Sequence, residues 1–212
     1  MDAEPTLART PQRGGSASSR VKPAPPFGQR AKFTAHHKVT NQAHLVLGWP
    51  GVAYTDKNRE ALSLLAIILG GNMSSRLFIN VRERLGLCYF IRAGLETYQD
   101  AGAFVIQAGL DLSKIDKALS AISREIKDIK THGLKSDELN KAKQFVKGKT
   151  DLGLEESLEV ASFLGKQALF YKKIQTPRQA LAKIMAVKTS EIQRLARRLL
   201  DKKYLHATTL AP

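Results

Sequence analysis

The stretch from Leu69 to Leu110 constrains the fold of this chain most, because glycines divide it into apolar runs of two different periods. Ser74 is a typical helix-capping residue, and Gly86 supplies the left-handed residue that ends a helix. Between them the apolar side chains recur at helical spacing, at Leu77, Phe78, Val81 and Leu85. Beyond Gly86, residues 87–97 and 103–110 are rich in β-branched and aromatic residues, and a Gln-Asp-Ala-Gly turn separates them. The stretch therefore predicts a short helix followed by an antiparallel hairpin.

The segments around this stretch indicate the rest of the architecture. Residues 31–39 and 43–49 are strand-like and would pair within one sheet, and Asp56 can cap a nearly apolar helix after them. The hairpin is followed by helical patterns as far as a last strand at 204–209. One of these helices has an apolar line of Leu154, Leu158, Ala161, Leu164 and Ala168. This order predicts an α+β fold in which helices pack on an antiparallel sheet.

Arg82 and Tyr89 lie seven residues apart on either side of Gly86, so their side chains could converge on one point. A guanidinium and a phenol offer strong donors to a carbonyl oxygen that becomes negative during acyl transfer. The same residues also have purely structural explanations, because Arg82 suits the negative end of the helix dipole and Tyr89 suits a half-buried strand position. Residue type and spacing leave both alternatives open, and the structural one is the more common.

Several short motifs in this stretch together resemble a known family. They are Gly70-Gly71, Met73 to Leu77, Val81-Arg82-Glu83 and Gly86-Leu87-Cys88-Tyr89. The run is similar to the C-terminal half-domain of the pitrilysin/insulinase (inverzincin) zinc peptidases, especially the bacterial members that are like mitochondrial processing peptidase. The resemblance begins near Ala35 and extends to the end of the chain. It implies half of a peptidase clamshell, in which Arg82 and Tyr89 reach across the cleft to bind the substrate and stabilise the oxyanion.

The metal site of that family does not carry over to this sequence. The family places two histidines and a glutamate base on a helix of its first half, in the pattern H-x-x-E-H. None of the five histidines begins that pattern: His36, His37, His44, His132 and His206. The adjacent His36 and His37 would point to opposite strand faces, so they would not both join His44 at one metal. The resemblance therefore implies no cofactor in this chain, no peptide hydrolysis by the chain alone, and zinc on a metal-bearing N-terminal half-domain or homologous subunit.

Composition divides the chain and limits its setting. Residues 1–32 are rich in Pro, Gly and Ser, which predicts a disordered tail or linker before the insulinase-type C-terminal domain that the resemblance implies at 33–212. The single cysteine, Cys88, excludes an internal disulfide. The longest apolar stretch, residues 61–69, is far shorter than the roughly 20 residues that span a bilayer. We therefore expect no membrane span and a cytoplasmic protein, with an organellar matrix as the alternative.

The net charge of +15 raises the question of a nucleic-acid partner. Residues 33–112 are nearly neutral, with 7 basic and 6 acidic side chains, whereas residues 113–212 carry 21 and 11. The excess thus lies on the helices and on residues 1–32, where solvated lysines are the usual explanation and a nucleic-acid or anionic-membrane surface is the alternative. Neither basic-aromatic interleaving nor a helix-turn-helix signature supports nucleic-acid binding.

Three functions follow from the sequence. The first is the substrate-binding half of a zinc metalloendopeptidase that acts on a peptide substrate. The second is a non-catalytic structural subunit of a peptidase-like or respiratory complex. The third is a basic nucleic-acid-binding protein. The presence of both Arg82 and Tyr89 favours the first.

Overall fold

The computed structural model describes residues 32–135 and 137–211, and the predicted linker at 1–32 lies outside this range except for Lys32. The described residues form five strands and six α-helices, so the predicted α+β class is confirmed. The strands are β1 (Lys32–His37), β2 (Ala43–Pro50), β3 (Cys88–Thr97), β4 (Gly102–Leu110) and β5 (His206–Ala211). The helices are α1 (Arg59–Ala66), α2 (Ile115–His132), α3 (Glu138–Gly153), α4 (Ser157–Phe170), α5 (Pro177–Ala186) and α6 (Thr189–Leu199). Within these ranges no helix combines the length and the apolar character that a membrane crossing needs.

The five strands form one sheet in the order β1-β5-β2-β4-β3. The predicted hairpin is present as β3 and β4, which pair antiparallel. The first two strands share this sheet but are not neighbours, because β5 lies between them and pairs parallel to β1. The sheet is therefore mixed rather than wholly antiparallel. No local pattern specifies a pairing between residues as distant in sequence as Lys32 and His206.

Side chains alternate across the sheet, and helices cover one of its faces. In β2, Leu45 and Leu47 are buried, whereas Val46 between them faces solvent. The core between the sheet and the helices takes fully buried side chains from both layers, among them Phe104, Ile106, Leu62, Leu65, Ile122 and Ile192. On the open face, Val46, Gln107 and Arg92 stand in one row across three strands.

Helix α4 departs from the usual pattern of a surface helix, which packs its apolar face inward. The apolar line predicted from the sequence is present, but it faces solvent: the exposed fraction is 76% at Leu158 and 40% at Leu164. The side chain that α4 buries is the polar Gln167, which is 2% exposed. The helix thus presents its apolar side to water.

Candidate functional site

The helix that bears Arg82 starts from a turn at Asn72. The Asn72 Oδ1 atom accepts hydrogen bonds from the backbone N–H and the hydroxyl of Ser74, at 3.0 and 3.1 Å. The Ser75 hydroxyl donates to the Asn72 carbonyl at 2.6 Å, and the Ser75 carbonyl accepts from the Ile79 N–H at 3.0 Å. The prediction that Ser74 caps this helix is wrong, because its hydroxyl donates to Asn72 instead of accepting from a helix N–H.

The helix continues as a π-helix at Phe78–Arg84, a rare geometry that is frequent at functional sites. It buries Val81 but leaves Leu85 47% exposed, so the predicted apolar face is only partly buried. Gly86 ends the helix with a φ of +57°, as predicted, and its N–H donates to the Arg82 carbonyl at 3.1 Å. This closure leads the chain directly from the helix into β3.

Arg82 lies in the last turn of the π-helix, and its side chain is only lightly engaged. Its guanidinium carbon is 4.6 Å from the centre of the Phe78 ring, and its Nε atom is 3.9 Å from Glu83 Oε1. The side chain is 39% exposed. Its backbone carbonyl accepts from the Gly86 N–H, two residues before β3 begins, so Arg82 lies beside the start of β3. Burial raises the pKa of the Cys88 thiol, and the charge of Arg82 offsets part of that rise. The donors of Arg82 are therefore available to a ligand at this end of the sheet.

Tyr89 occupies the irregular position at the start of β3, where the pairing with β4 shifts between Cys88 and Phe90. Bulges of this kind redirect side chains and are common beside functional sites. The Tyr89 side chain is exposed and helps to line an open hollow of about 430 Å³. The residues that line the hollow with it are Thr40, Asn41, Gln42 and His44. The structure thus places Arg82 and Tyr89 near the same end of β3.

The hollow beside Tyr89 also contains residues that sequence reasoning did not connect with the site. His44 and Phe90 flank Gly109 in one row of the sheet, with ring centres 6.2 Å apart. The Phe90 ring lies over Gly109, where a Cβ atom would overlap it, so this arrangement requires glycine. Gln42 Nε2 lies 3.5 Å from His44 Nε2. A glycine inside a predicted strand was the available signal, because such a glycine marks a close approach.

The described residues do not fit the zinc that the resemblance implies for the family. His36 and His44 are both in register with Leu210, so a whole strand separates them and their Cα atoms are roughly 10 Å apart. His37 alternates to the other face of β1. Across residues 32–135 and 137–211, no three His, Cys, Asp or Glu side chains are grouped closely enough to hold a metal ion.

The chain belongs to the peptidase M16 family. Its residues 3–146 match the family model described as the Peptidase M16 inactive domain. The match confirms the resemblance to the C-terminal half-domain of the pitrilysin/insulinase peptidases.

The relatives of this chain are much longer than the chain itself. An uncharacterized zinc protease of Streptomyces coelicolor is 36% identical over 164 residues, which cover 77% of this chain and 36% of the relative. An uncharacterized zinc protease of Bacillus subtilis is 34% identical over 167 residues, which cover 79% of this chain and 41% of the relative. The chain therefore spans about two fifths of the length of these curated relatives.

Solved structures share the fold. A protease from Helicobacter pylori superposes with a TM-score of 0.81 at 23% identity, over 88% of this chain and 46% of that protein. A peptidase M16 inactive domain from Pseudomonas fluorescens gives a TM-score of 0.78 at 20% identity, over 86% of this chain and 44% of that one. At these identities the likeness concerns the fold alone, and it supports the α+β architecture.

Proposed function

We propose that this chain is the C-terminal, substrate-binding half of an insulinase-type zinc metalloendopeptidase, and that it acts only together with a metal-bearing half. The proposal is supported by membership of the family, by relatives named zinc proteases, and by the large part of their length that this chain does not match. Residues 33–212 are then the C-terminal domain, the partner half holds the zinc, and the substrate is a peptide or an unfolded segment. A cytoplasmic location is part of the same proposal.

The observation that carries the proposal is a contrast between two arginines on one short segment. Arg76 is 7% exposed and forms a bidentate ion pair with Glu138. Arg82, six residues later, is 39% exposed, and its ion pair with Glu83 is long at 3.9 Å. The fold thus uses the donors of Arg76, whereas Arg82 keeps its donors available at the end of β3 that also presents Tyr89.

In the proposed complex, Arg82 and Tyr89 bind the carbonyl oxygen of the peptide bond that is cleaved. Attack on that carbonyl moves negative charge onto its oxygen, and donors that are already in place stabilise the charge without reorganisation. Arg82 supplies N–H donors on a permanent positive charge, and Tyr89 supplies a phenolic O–H. His44 and Gln42, which line the hollow beside Tyr89, border the bound peptide.

The part of the S. coelicolor relative that lies outside its match to this chain is used in the test as the metal-bearing half that the proposal requires. Three samples are compared on an unstructured fluorogenic peptide: this chain alone, the S. coelicolor part alone with zinc, and the two together. We expect cleavage only in the mixture and its loss on addition of a zinc chelator. A mixture that forms a complex without cleaving favours the structural-subunit alternative, and cleavage by this chain alone contradicts the proposal.

A further inference from the structure

One side of α4 is an uncharged, solvent-exposed strip, which we call the α4 stripe. Its members recur at spacings of three and four residues, which places them on one face of the helix. They are Leu158, Ala161, Gly165, Ala168 and Leu169. Leu158 and Leu169, near its two ends, are 76% and 81% exposed. The two charged residues of α4, Glu159 and Lys166, lie to one side of the stripe.

The C-terminal end of α4 is held in place by two contacts, which fix the direction in which the stripe faces. The buried Gln167 accepts a hydrogen bond through Oε1 from the Gln175 N–H at 3.3 Å. The Phe170 ring stacks on Tyr54 with centres 4.3 Å apart. A rotation that turned the stripe inward would break both contacts and would expose Phe170.

The chain around α4 extends the exposed apolar surface. The flanking side chains of Leu152, Leu154 and Ile174 are 68%, 43% and 50% exposed. Large exposed apolar patches are rare on monomers and mark sites of interaction. Carboxylates precede the stripe at Glu155 and Glu156, and exposed lysines follow it at Lys172 and Lys173.

We infer that the α4 stripe is the surface on which the metal-bearing half docks, an inference that rests on the proposed function. The zinc-protease relative of S. coelicolor and the solved protease from H. pylori are each more than twice as long as the region they share with this chain. In both proteins, a region at least as large as the shared one therefore lies outside the match. The stripe offers such a region an apolar contact with small residues at its centre, where two elements can approach closely. The surface that receives it is apolar, with basic groups facing the start of α4 and acidic groups facing its end.

A second copy of the chain, laid antiparallel on α4, offers the same charges to the two ends of the stripe, but its net charge disfavours it. Each copy carries a net charge of +15, so two copies repel one another as they approach. An anionic membrane suits the lysines at the end of α4 but not the carboxylates at its start. Both occupants are outcomes of the test below.

The test measures binding of this chain to the unmatched part of the S. coelicolor relative by sedimentation velocity. The stripe variant is Leu158→Glu with Leu169→Glu, and the matched control is Leu112→Glu, at a leucine that is 51% exposed in the turn before α2. We expect a one-to-one complex whose Kd rises at least 10-fold in the stripe variant and stays within about 2-fold in the control. Since both stripe leucines are exposed, thermal unfolding should be the same in all three chains.

The outcomes separate this inference from the proposed function. If the unaltered chain forms no complex, the proposed pairing of halves is contradicted. If the complex forms and the stripe variant binds as tightly as the control, the stripe is not the docking surface and the proposed function stands. The inference is also overturned if the chain alone dimerises, or binds phosphatidylglycerol vesicles, and the stripe variant loses that association.

Discussion

Arg76 and Glu138, 62 residues apart in sequence, form a bidentate ion pair in which Arg76 Nε and Nη2 lie 2.7 and 2.8 Å from the two carboxylate oxygens. The same guanidinium donates to Asp128 at 2.6 Å and to the Gly133 carbonyl at 3.1 Å. Burial lowers the pKa of Arg76, but the hydrogen bonds and charges of Glu138 and Asp128 outweigh it and raise the pKa above its ordinary value. These contacts fasten the segment that leads to Arg82 to the connection between α2 and α3.

Replacing Arg76 by methionine should lower the free energy of unfolding by about 3 kcal/mol, because removal of one partner leaves the facing carboxylates without their counter-charge. Urea denaturation measures the change. Arg84→Met is the matched control, since Arg84 is exposed and its bond among the described residues is to Asn80 at 3.2 Å; it should change stability by less than about 0.5 kcal/mol. Equal stabilities of the two variants would refute a stabilising role for the pair.

Asp128 should make the stability of the chain sensitive to acid. Its pKa is lowered first by a hydrogen bond with His132 at 2.8 Å and then by Arg76. Because the pKa is lower in the folded chain, the unfolded chain takes up the proton first as the pH falls below about 4, and the stabilisation is lost as the pH passes through the folded pKa. The side chain is 42% exposed, so the effect is modest.

The measurement is the free energy of unfolding in urea at a series of pH values from about 6 down to 2. Asp128→Asn has no proton to take up there, so its stability should fall less steeply below pH about 4 than that of the unaltered chain. Parallel profiles would exclude the contribution of Asp128.

Two glycines should respond in opposite directions to alanine. A Cβ atom on Gly70 would overlap the backbone nitrogen of Ala93 in β3, and a backbone atom cannot move aside as a flexible side chain can. Gly70→Ala should therefore destabilise the chain by about 1–3 kcal/mol. A Cβ atom on Gly148, inside α3, meets nothing within 4 Å, so Gly148→Ala should stabilise by about 0.5–1 kcal/mol. Thermal and urea unfolding of both variants check the signs, and destabilisation by Gly148→Ala would contradict the account of α3.

Local chemistry allowed several elements to be predicted from the sequence. The hairpin and the left-handed stop at Gly86 each depend on residues close together in the chain, and each is present. The position of β5 between β1 and β2 depends on pairing across almost the whole chain, which no local pattern encodes.

The site was less accessible to sequence reasoning because its geometry depends on tertiary contacts. The π-helix at Phe78–Arg84 has no distinctive local composition, so a regular helix with Ser74 as its cap was expected. Arg76 gave no signal, because its acidic partners lie 52 and 62 residues away. The sequence also did not reveal that the apolar line of α4 faces solvent. This line, which includes Leu158, has the spacing of a helix that packs on a core.

The central claim is that Arg82 and Tyr89 act on the substrate of a partnered peptidase. Arg82→Lys keeps the charge but removes the planar fork of donors, so it should raise KM in the active mixture of this chain with the metal-bearing half. A threefold or smaller change in KM, at unchanged kcat, would indicate that Arg82 serves the fold alone.

Tyr89→Phe tests the claim most directly, because it removes one hydroxyl donor from an exposed ring and should leave folding and the affinity between the halves unchanged. The measurement is kcat for the fluorogenic peptide in a mixture saturated with this chain. The account predicts a fall of about 10²- to 10³-fold, the usual cost of losing one oxyanion donor. Full activity of Tyr89→Phe, in a mixture that depends on this chain for cleavage, would contradict it and would favour a structural role.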